Sequence, residues 1–142
     1  MADSSRQKGR RGELEVAKLL SRTLGVDVPI NYAQSALGGY DIAIGGWAIE
    51  VKRAEKVSLR AWQAQALASA WKHQLMPCLW HRKNHSCWQV WFPLVAFLLV
   101  WGGKPPSPCP FSESDWLMVT EHVGLITIKE MYDRQTRPTE AG

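Results

Sequence analysis

Cysteine is scarce in this sequence. There are three, Cys78, Cys87 and Cys109, at irregular spacing and with no Cys-x-x-Cys pair. A disulfide framework is therefore not the organising device, and reduced thiols are expected. Long apolar runs are missing as well. The longest, Val90 to Trp101, is about half the ~20 residues that a membrane-crossing helix needs, and Pro93 interrupts it. No apolar stretch near the N-terminus resembles a secretory signal. The expectation is a cytoplasmic protein with no membrane element. Acidic charge is short in the first part of the chain: residues 1–83 carry 13 basic and 7 acidic side chains, whereas residues 84–142 carry 4 and 6. That asymmetry points to a polyanionic partner.

What is present suits one globular domain over residues 1–142. Hydrophobic residues make up 46% and charged residues 21%, enough for a core and too apolar for wholesale disorder. There are no internal repeats. Residues 1–7 are polar and expected to fray. From about Lys8 to Leu24, Leu14, Ala17, Leu20 and Leu24 recur at helical spacing, with Val16 and Leu19 widening the stripe, and Gly25 stops the helix. Val26 to Ile30 reads as a short strand and Asn31 to Tyr40 as a loop. Asp41–Ile44 and Trp47–Lys52 read as strands joined by a Gly45-Gly46 turn. Ser58 is placed to cap a helix from Leu59 to about His73. Strands at Pro77–Arg82 and Trp88–Phe92 follow, with a turn around Lys83-Asn84. Leu94–Trp101 is open between helix and strand. Gly102–Pro110 is a loop, Trp116–Thr120 a strand, Thr127–Arg134 a short helix, and the tail after Gln135 disordered. The order implies an α/β or α+β sheet with helices packed on it.

The glycine turn allows a geometric derivation. It sets Ile44 opposite Trp47, Ala43 opposite Ala48, Ile42 opposite Ile49 and Asp41 opposite Glu50. Side chains alternate along a strand, so Trp47, Ile49 and Val51 share an apolar face with Ile42 and Ile44. Ala48, Glu50 and Lys52 share the other face with Asp41. Two carboxylates facing each other at a Cβ separation of about 4.5–5.5 Å are destabilising unless a cation lies between them. Hard oxygen ligands suit Mg²⁺ or Mn²⁺. Lys52, one step further on the same face, is placed to contact a phosphate or an attacking water. The plain alternative is a solvated hairpin edge. Glu13 is a third acid, on the apolar stripe of the first helix, and either pairs with Arg10 or Lys18 or reaches the same site.

These residues carry a resemblance. Asp41, eight intervening residues and Glu50-Val51-Lys52 resemble the D…ExK core of the PD-(D/E)xK nuclease superfamily. The segment Lys8-Gly9-Arg10-Arg11-Gly12-Glu13-Leu14-Glu15 resembles the opening helix of archaeal Holliday-junction resolvases. Similarity is closer still to small phage and prophage endonucleases. It rests on Gly38-Gly39-Tyr40-Asp41, Glu50-Val51-Lys52-Arg53, the helix Arg60-Ala61-Trp62-Gln63-Ala64-Gln65-Ala66, and the strands Pro77–Arg82 and from Trp88. Tyr40-Asp41 departs from the superfamily's Pro-Asp.

The resemblance covers about residues 6–92, with 93–134 as a C-terminal elaboration and 135–142 as tail. It implies a restriction-endonuclease-like α/β fold, a mixed sheet flanked by helices. It implies that Glu13, Asp41 and Glu50, with the Val51 carbonyl, hold one or two Mg²⁺ or Mn²⁺ ions per subunit. Lys52 then orients or deprotonates water, and Gln65 supports the site. The implied activity is hydrolysis of phosphodiester bonds in branched or duplex DNA by a homodimeric junction resolvase. A less selective phage nuclease and a DNA-binding module without catalysis are the alternatives.

Lys8, Arg10, Arg11, Arg53, Arg60, Arg82 and Lys83, with Lys56, are candidates for phosphate contacts. Singly, each is an ordinary surface charge; grouped beside acids they favour nucleic acid. Cys78, His81, His85 and Cys87 fit no zinc-finger spacing, and are read as two buried thiols and turn histidines. Of the eight tryptophans, Trp47, Trp80, Trp88 and Trp91 belong to a core, and Trp62 and Trp71 to core or a subunit contact.

Overall fold

The computed structural model describes residues 5–31, 39–102 and 115–137. In chain order these form α1 (Ser5–Leu24), β1 (Ile42–Ile44), β2 (Trp47–Arg53), α2 (Leu59–Lys72), β3 (Met76–Arg82), β4 (Gln89–Pro93), α3 (Leu94–Val100), β5 (Trp116–Thr120) and α4 (Glu121–Thr136). The five strands make one mixed sheet in the order β1-β2-β3-β4-β5. Only β2 and β3 are parallel, because α2 carries the chain back between them; the other pairs are antiparallel. With four helices flanking it, this is the α/β layout expected from the resemblance to restriction-endonuclease-like proteins.

The Gly45-Gly46 turn has φ of 56° and 85°, the left-handed pair that a two-residue hairpin of matching twist requires. It pairs Ile42 with Ile49, Ala43 with Ala48 and Ile44 with Trp47, three of the four pairs deduced from sequence; Asp41 lies just before β1, and its N–H donates to the Ile49 carbonyl. One face of the sheet is covered by α1, α3 and α4. There Val16, Leu20, Trp47, Ile49, Trp80, Val90, Phe92 and Ile128 are fully enclosed. Each large apolar side chain so buried contributes roughly 1.5–3 kcal/mol. The other face is covered by α2, which packs on β2 and β3.

Several expectations change. α1 begins at Ser5, earlier than Lys8. Its buried stripe is Gly12, Val16, Ala17 and Leu20, while Leu14 is 46% exposed. The helix is rolled so that Gly12, which has no side chain, lies nearest the strand. Val26–Ile30 is not a strand. Val28 is buried and its N–H donates to Ser21 Oγ, and Asn31 N–H donates to the Asp41 carbonyl, but no neighbouring ladder forms. Ser58 occupies the cap position of α2 without a side-chain capping bond. The open Leu94–Trp101 segment is helical to Val100, with Pro93 at its N-cap position, where a fixed φ and no donor do no harm.

α4 is much longer than the expected Thr127–Arg134. Thr120 caps it by accepting from Val123 N–H, and Gly124 is tolerated because it lets the helix close on Val90. Helix continues through Gln135 to Thr136, within the stretch expected to lose order. Residues 138–142 of that tail, and most of the expected loops at 31–40 and 102–110, lie outside the described residues. Among the described residues no helix is long and apolar enough to cross a membrane.

Candidate active site

Asp41 stands at the end of the β1–β2 ladder. Its N–H donates to the Ile49 carbonyl, and its Oδ2 accepts from Val51 N–H at 2.8 Å. The backbone of the acidic strand thus orients the Asp41 carboxylate. Glu50 follows from β2, and α1 brings Glu13 to the same end of the ladder. Asp41 is near enough to Glu13 and to Glu50 to raise the pKa of both. Asp41 is 5% exposed and Glu50 2%.

This packing of acids has electrostatic consequences. Burial first, and then the negative charge of Asp41, push Glu50 up to about 9 from the usual carboxylate range, while the Lys52 ammonium pulls the other way. Glu13 is raised to about 7, again by burial first and then by Asp41, with Arg10 and Lys52 opposing. Glu50 Oε1 is buried with no hydrogen-bond partner. A buried carboxylate oxygen lacking a donor is costly, and a cation is the natural counterpart. Among the described residues no three acidic, imidazole or thiol groups form a cluster able to hold a metal ion. The donor set, three hard carboxylates beside a lysine, nonetheless fits a small divalent cation better than any soft metal.

Lys52 lies next to Glu50 on β2, and its Nζ donates to Gln65 Oε1 of α2 at 3.1 Å. Gln65 therefore stands where the sequence placed it, behind the Glu50-Val51-Lys52 strand. Beside Lys52 in register is His81, 4% exposed, with Nε2 3.0 Å from the Ala54 carbonyl and its ring against Trp62. His81 lies in the strand expected at Pro77–Arg82, wedged under α2. Cys87 is exposed rather than buried, while Cys78 is enclosed and its thiol is pushed up by burial.

The basic candidates divide. Arg10 lies close enough to Glu13 to lower its pKa, Arg11 and Arg60 are exposed on α1 and α2, and Lys83 is exposed after β3. Lys8 pairs with Glu55 at 3.5 Å. Arg53 and Arg82 point to the α1 side of the sheet, where both guanidinium groups engage Glu15. Sequence reasoning did not single out Glu15. Its position two residues after Glu13, with arginines ending two adjacent strands, was the available signal.

A groove of about 1110 Å³, lined by Lys18, Arg22, Trp88, Met118 and His122 among others, lies on the far flank of α1. It is not where the acids converge. Asp41 and Glu50 are instead buried at the end of the β1–β2 ladder, with Glu13 half-buried on α1.

Searches of curated proteins and of solved structures returned no match. A protein-family model does match, over residues 4–104, a span that includes Glu13, Asp41, Glu50, Lys52 and Gln65. By this match the chain belongs to the phage putative PDDEXK endonuclease family.

Proposed function

We propose that this endonuclease is a divalent-metal-dependent, structure-selective DNA nickase acting as a homodimeric Holliday-junction resolvase. The observation carrying the metal chemistry is the meeting of Glu13 and Glu50 at Asp41, with a buried Glu50 oxygen left without a donor. Glu13, Asp41 and Glu50, with the Val51 carbonyl, would hold one or two Mg²⁺ or Mn²⁺ ions. Such an ion supplies Lewis acidity, lowering the pKa of water and offsetting charge at the phosphate. Lys52, steadied by Gln65, orients the attacking water and stabilises negative charge growing on the phosphoryl oxygens. In-line displacement leaves 5′-phosphate and 3′-hydroxyl ends. Lys8, Arg10, Arg11, Arg60 and Lys83 contact backbone phosphates. On this reading the chain is one nuclease domain, with the part beyond residue 92 as an elaboration.

Junction selectivity rests on symmetry. A four-way junction is nearly two-fold symmetric, and a C2 dimer presents two sites in that geometry. Leu94, Leu99 and Trp101 expose 38%, 44% and 45% of their surface around α3, apolar area that a subunit contact would cover. The test is incubation of the protein with a labelled four-way junction, linear duplex and single strand, with Mg²⁺ or EDTA. Paired nicks in the junction, absent with EDTA, are expected. A mixed dimer of wild-type and Glu50→Gln subunits should nick one junction strand and rarely resolve. Equal cutting of junction and duplex would favour the less selective nuclease, and no cutting with tight binding would favour a module without catalysis.

A further inference from the structure

α1 rests on β2 at Gly12. A Cβ added there would run into Arg53 Cγ, and would meet Val51 Cγ1 at 3.4 Å. Each helical residue turns the side chain by about 100°. With Gly12, Val16 and Leu20 as the line of contact, Glu13 projects from one flank of α1 and Glu15 from the other. Both flanks are engaged. Glu13 meets Asp41 beside β1. Glu15 Oε1 accepts from Arg53 Nη1 at 3.1 Å and from Arg82 Nη2 at 3.0 Å, at the ends of β2 and β3.

The two arginines are themselves anchored on the sheet side. Arg53 Nη2 donates to Asn84 Oδ1 at 2.8 Å, and Arg82 Nη1 donates to the Ser86 carbonyl at 3.2 Å. The Arg82 guanidinium also lies 5.5 Å from the centre of the Trp88 ring. Asn84 N–H in turn donates to Glu55 at 2.6 Å. Against this fixed pair, Glu15 is the group that reaches across from α1. The Lys8–Glu55 pair also links α1 to the sheet, but Glu55 is largely solvated.

A partly exposed ion pair adds little to global stability. Its geometric effect is larger. The opposite flank of α1 carries the half-buried Glu13 towards Asp41, and the desolvation of that carboxyl favours rolling the helix away. A latch on the far flank resists that roll.

We propose that Glu15 is a positioning residue of the metal site: by bridging Arg53 and Arg82 it fixes the roll of α1 and so holds Glu13 against Asp41 and Glu50. This rests on the metal-dependent reading above. Glu15 touches neither metal nor DNA, and acts through Glu13.

The test is a double-mutant cycle in the full-length protein, with Glu15→Gln, Glu13→Gln and the double variant. Mn²⁺ affinity is read by titration calorimetry, and cleavage is followed against Mg²⁺ concentration. Glu15→Gln preserves shape, so folding should be retained, and circular dichroism checks it. Glu15→Gln is expected to weaken Mn²⁺ binding about tenfold, as losing an orienting partner of a ligand does. The Mg²⁺ concentration for half-maximal cutting should rise by the same factor, with the rate at saturating Mg²⁺ within about threefold of wild type. In the Glu13→Gln background the same change should alter Mn²⁺ affinity by less than about twofold, since the residue it acts through is already gone. Amide exchange over residues 10–16 of the metal-free protein should be faster in Glu15→Gln.

Unchanged Mn²⁺ affinity in Glu15→Gln, or an equal loss with Glu13 already replaced, overturns the proposal. Failure of the nuclease reading looks different: wild type binding Mn²⁺ but cutting no DNA would reject that reading and leave the Glu15 cycle intact. Wild type binding no Mn²⁺ rejects both.

Discussion

At the scale of single residues, the roles proposed for the acids and the lysine can each be measured. Asp41→Asn and Glu50→Gln are expected to abolish Mg²⁺-dependent cutting while DNA binding persists; substantial cutting by both variants would remove them from the site. Lys52→Ala leaves every carboxylate in place. Metal binding should survive and turnover at saturating Mg²⁺ should fall by about two to three orders of magnitude, the cost of losing one preorganised charge-stabilising group. Retention of near wild-type turnover would make Lys52 an ordinary surface charge held by Gln65.

The pH dependence of metal-free stability follows from the same acids. Glu50 in the folded protein keeps its proton up to about pH 9, whereas the unfolded chain loses it near the ordinary value of 4.5. Between those values the unfolded chain has the advantage of releasing a proton, so stability falls as pH rises, by at most about 1.4 kcal/mol per pH unit for one group. Glu13 acts in the same direction between 4.5 and about 7. Thermal unfolding in EDTA should therefore show a lower midpoint at pH 8 than at pH 6. Glu50→Gln should raise the pH 8 midpoint by about 3 °C or more, the shift that roughly 1 kcal/mol makes in a domain of this size. An unchanged or lower midpoint would mean that Glu50 is not strained by its burial.

At the scale of elements, the glycine turn sets the β1–β2 register, and past the end of that ladder Asp41 is held by Ile49 and Val51, on either side of Glu50. Both glycines have positive φ, and a Cβ on Gly45 would approach Tyr132 Cα of α4 at 2.9 Å. Gly45→Ala is expected to cost about 1–3 kcal/mol, from left-handed strain and the displaced helix together. Gly9→Ala is the contrasting change: nothing lies within 4 Å of its added Cβ, and α1 should gain about 0.5–1 kcal/mol. Urea unfolding of the two variants measures both signs. The hairpin was legible in the sequence because strict alternation and two adjacent glycines leave one register. The Val26–Ile30 segment was misread because β-branched composition marks a strand only where a partner offers a ladder. α4 was read too short because Gly124 lowers helix propensity, while its close packing on Val90, invisible in one dimension, compensates.

At the scale of the whole molecule, the proposed dimer would cover the exposed apolar residues Leu94, Leu99 and Trp101 around α3. If the homodimer is correct, light scattering at micromolar concentration should report about twice the 16.0 kDa chain mass without DNA. A mass of one chain across that range, in a protein that still resolves junctions, would remove the dimer from the mechanism.

The sequence by itself determined the mixed α/β layout, the hairpin register from Ile42 to Ile49, and the place of Gln65 behind Lys52. It could do so because those features follow from short-range periodicity, turn chemistry and a recognisable ordered motif. Only the tertiary structure decided how α1 is rolled on the sheet. That roll exposes Leu14, buries Gly12 against Arg53, and separates Arg53 and Arg82 from the basic residues left at the surface. The physical reason is that a helix stripe wide enough for six apolar residues permits several rolls. The choice among them is made by contacts between residues far apart in the chain, here Glu15 with the ends of two neighbouring strands.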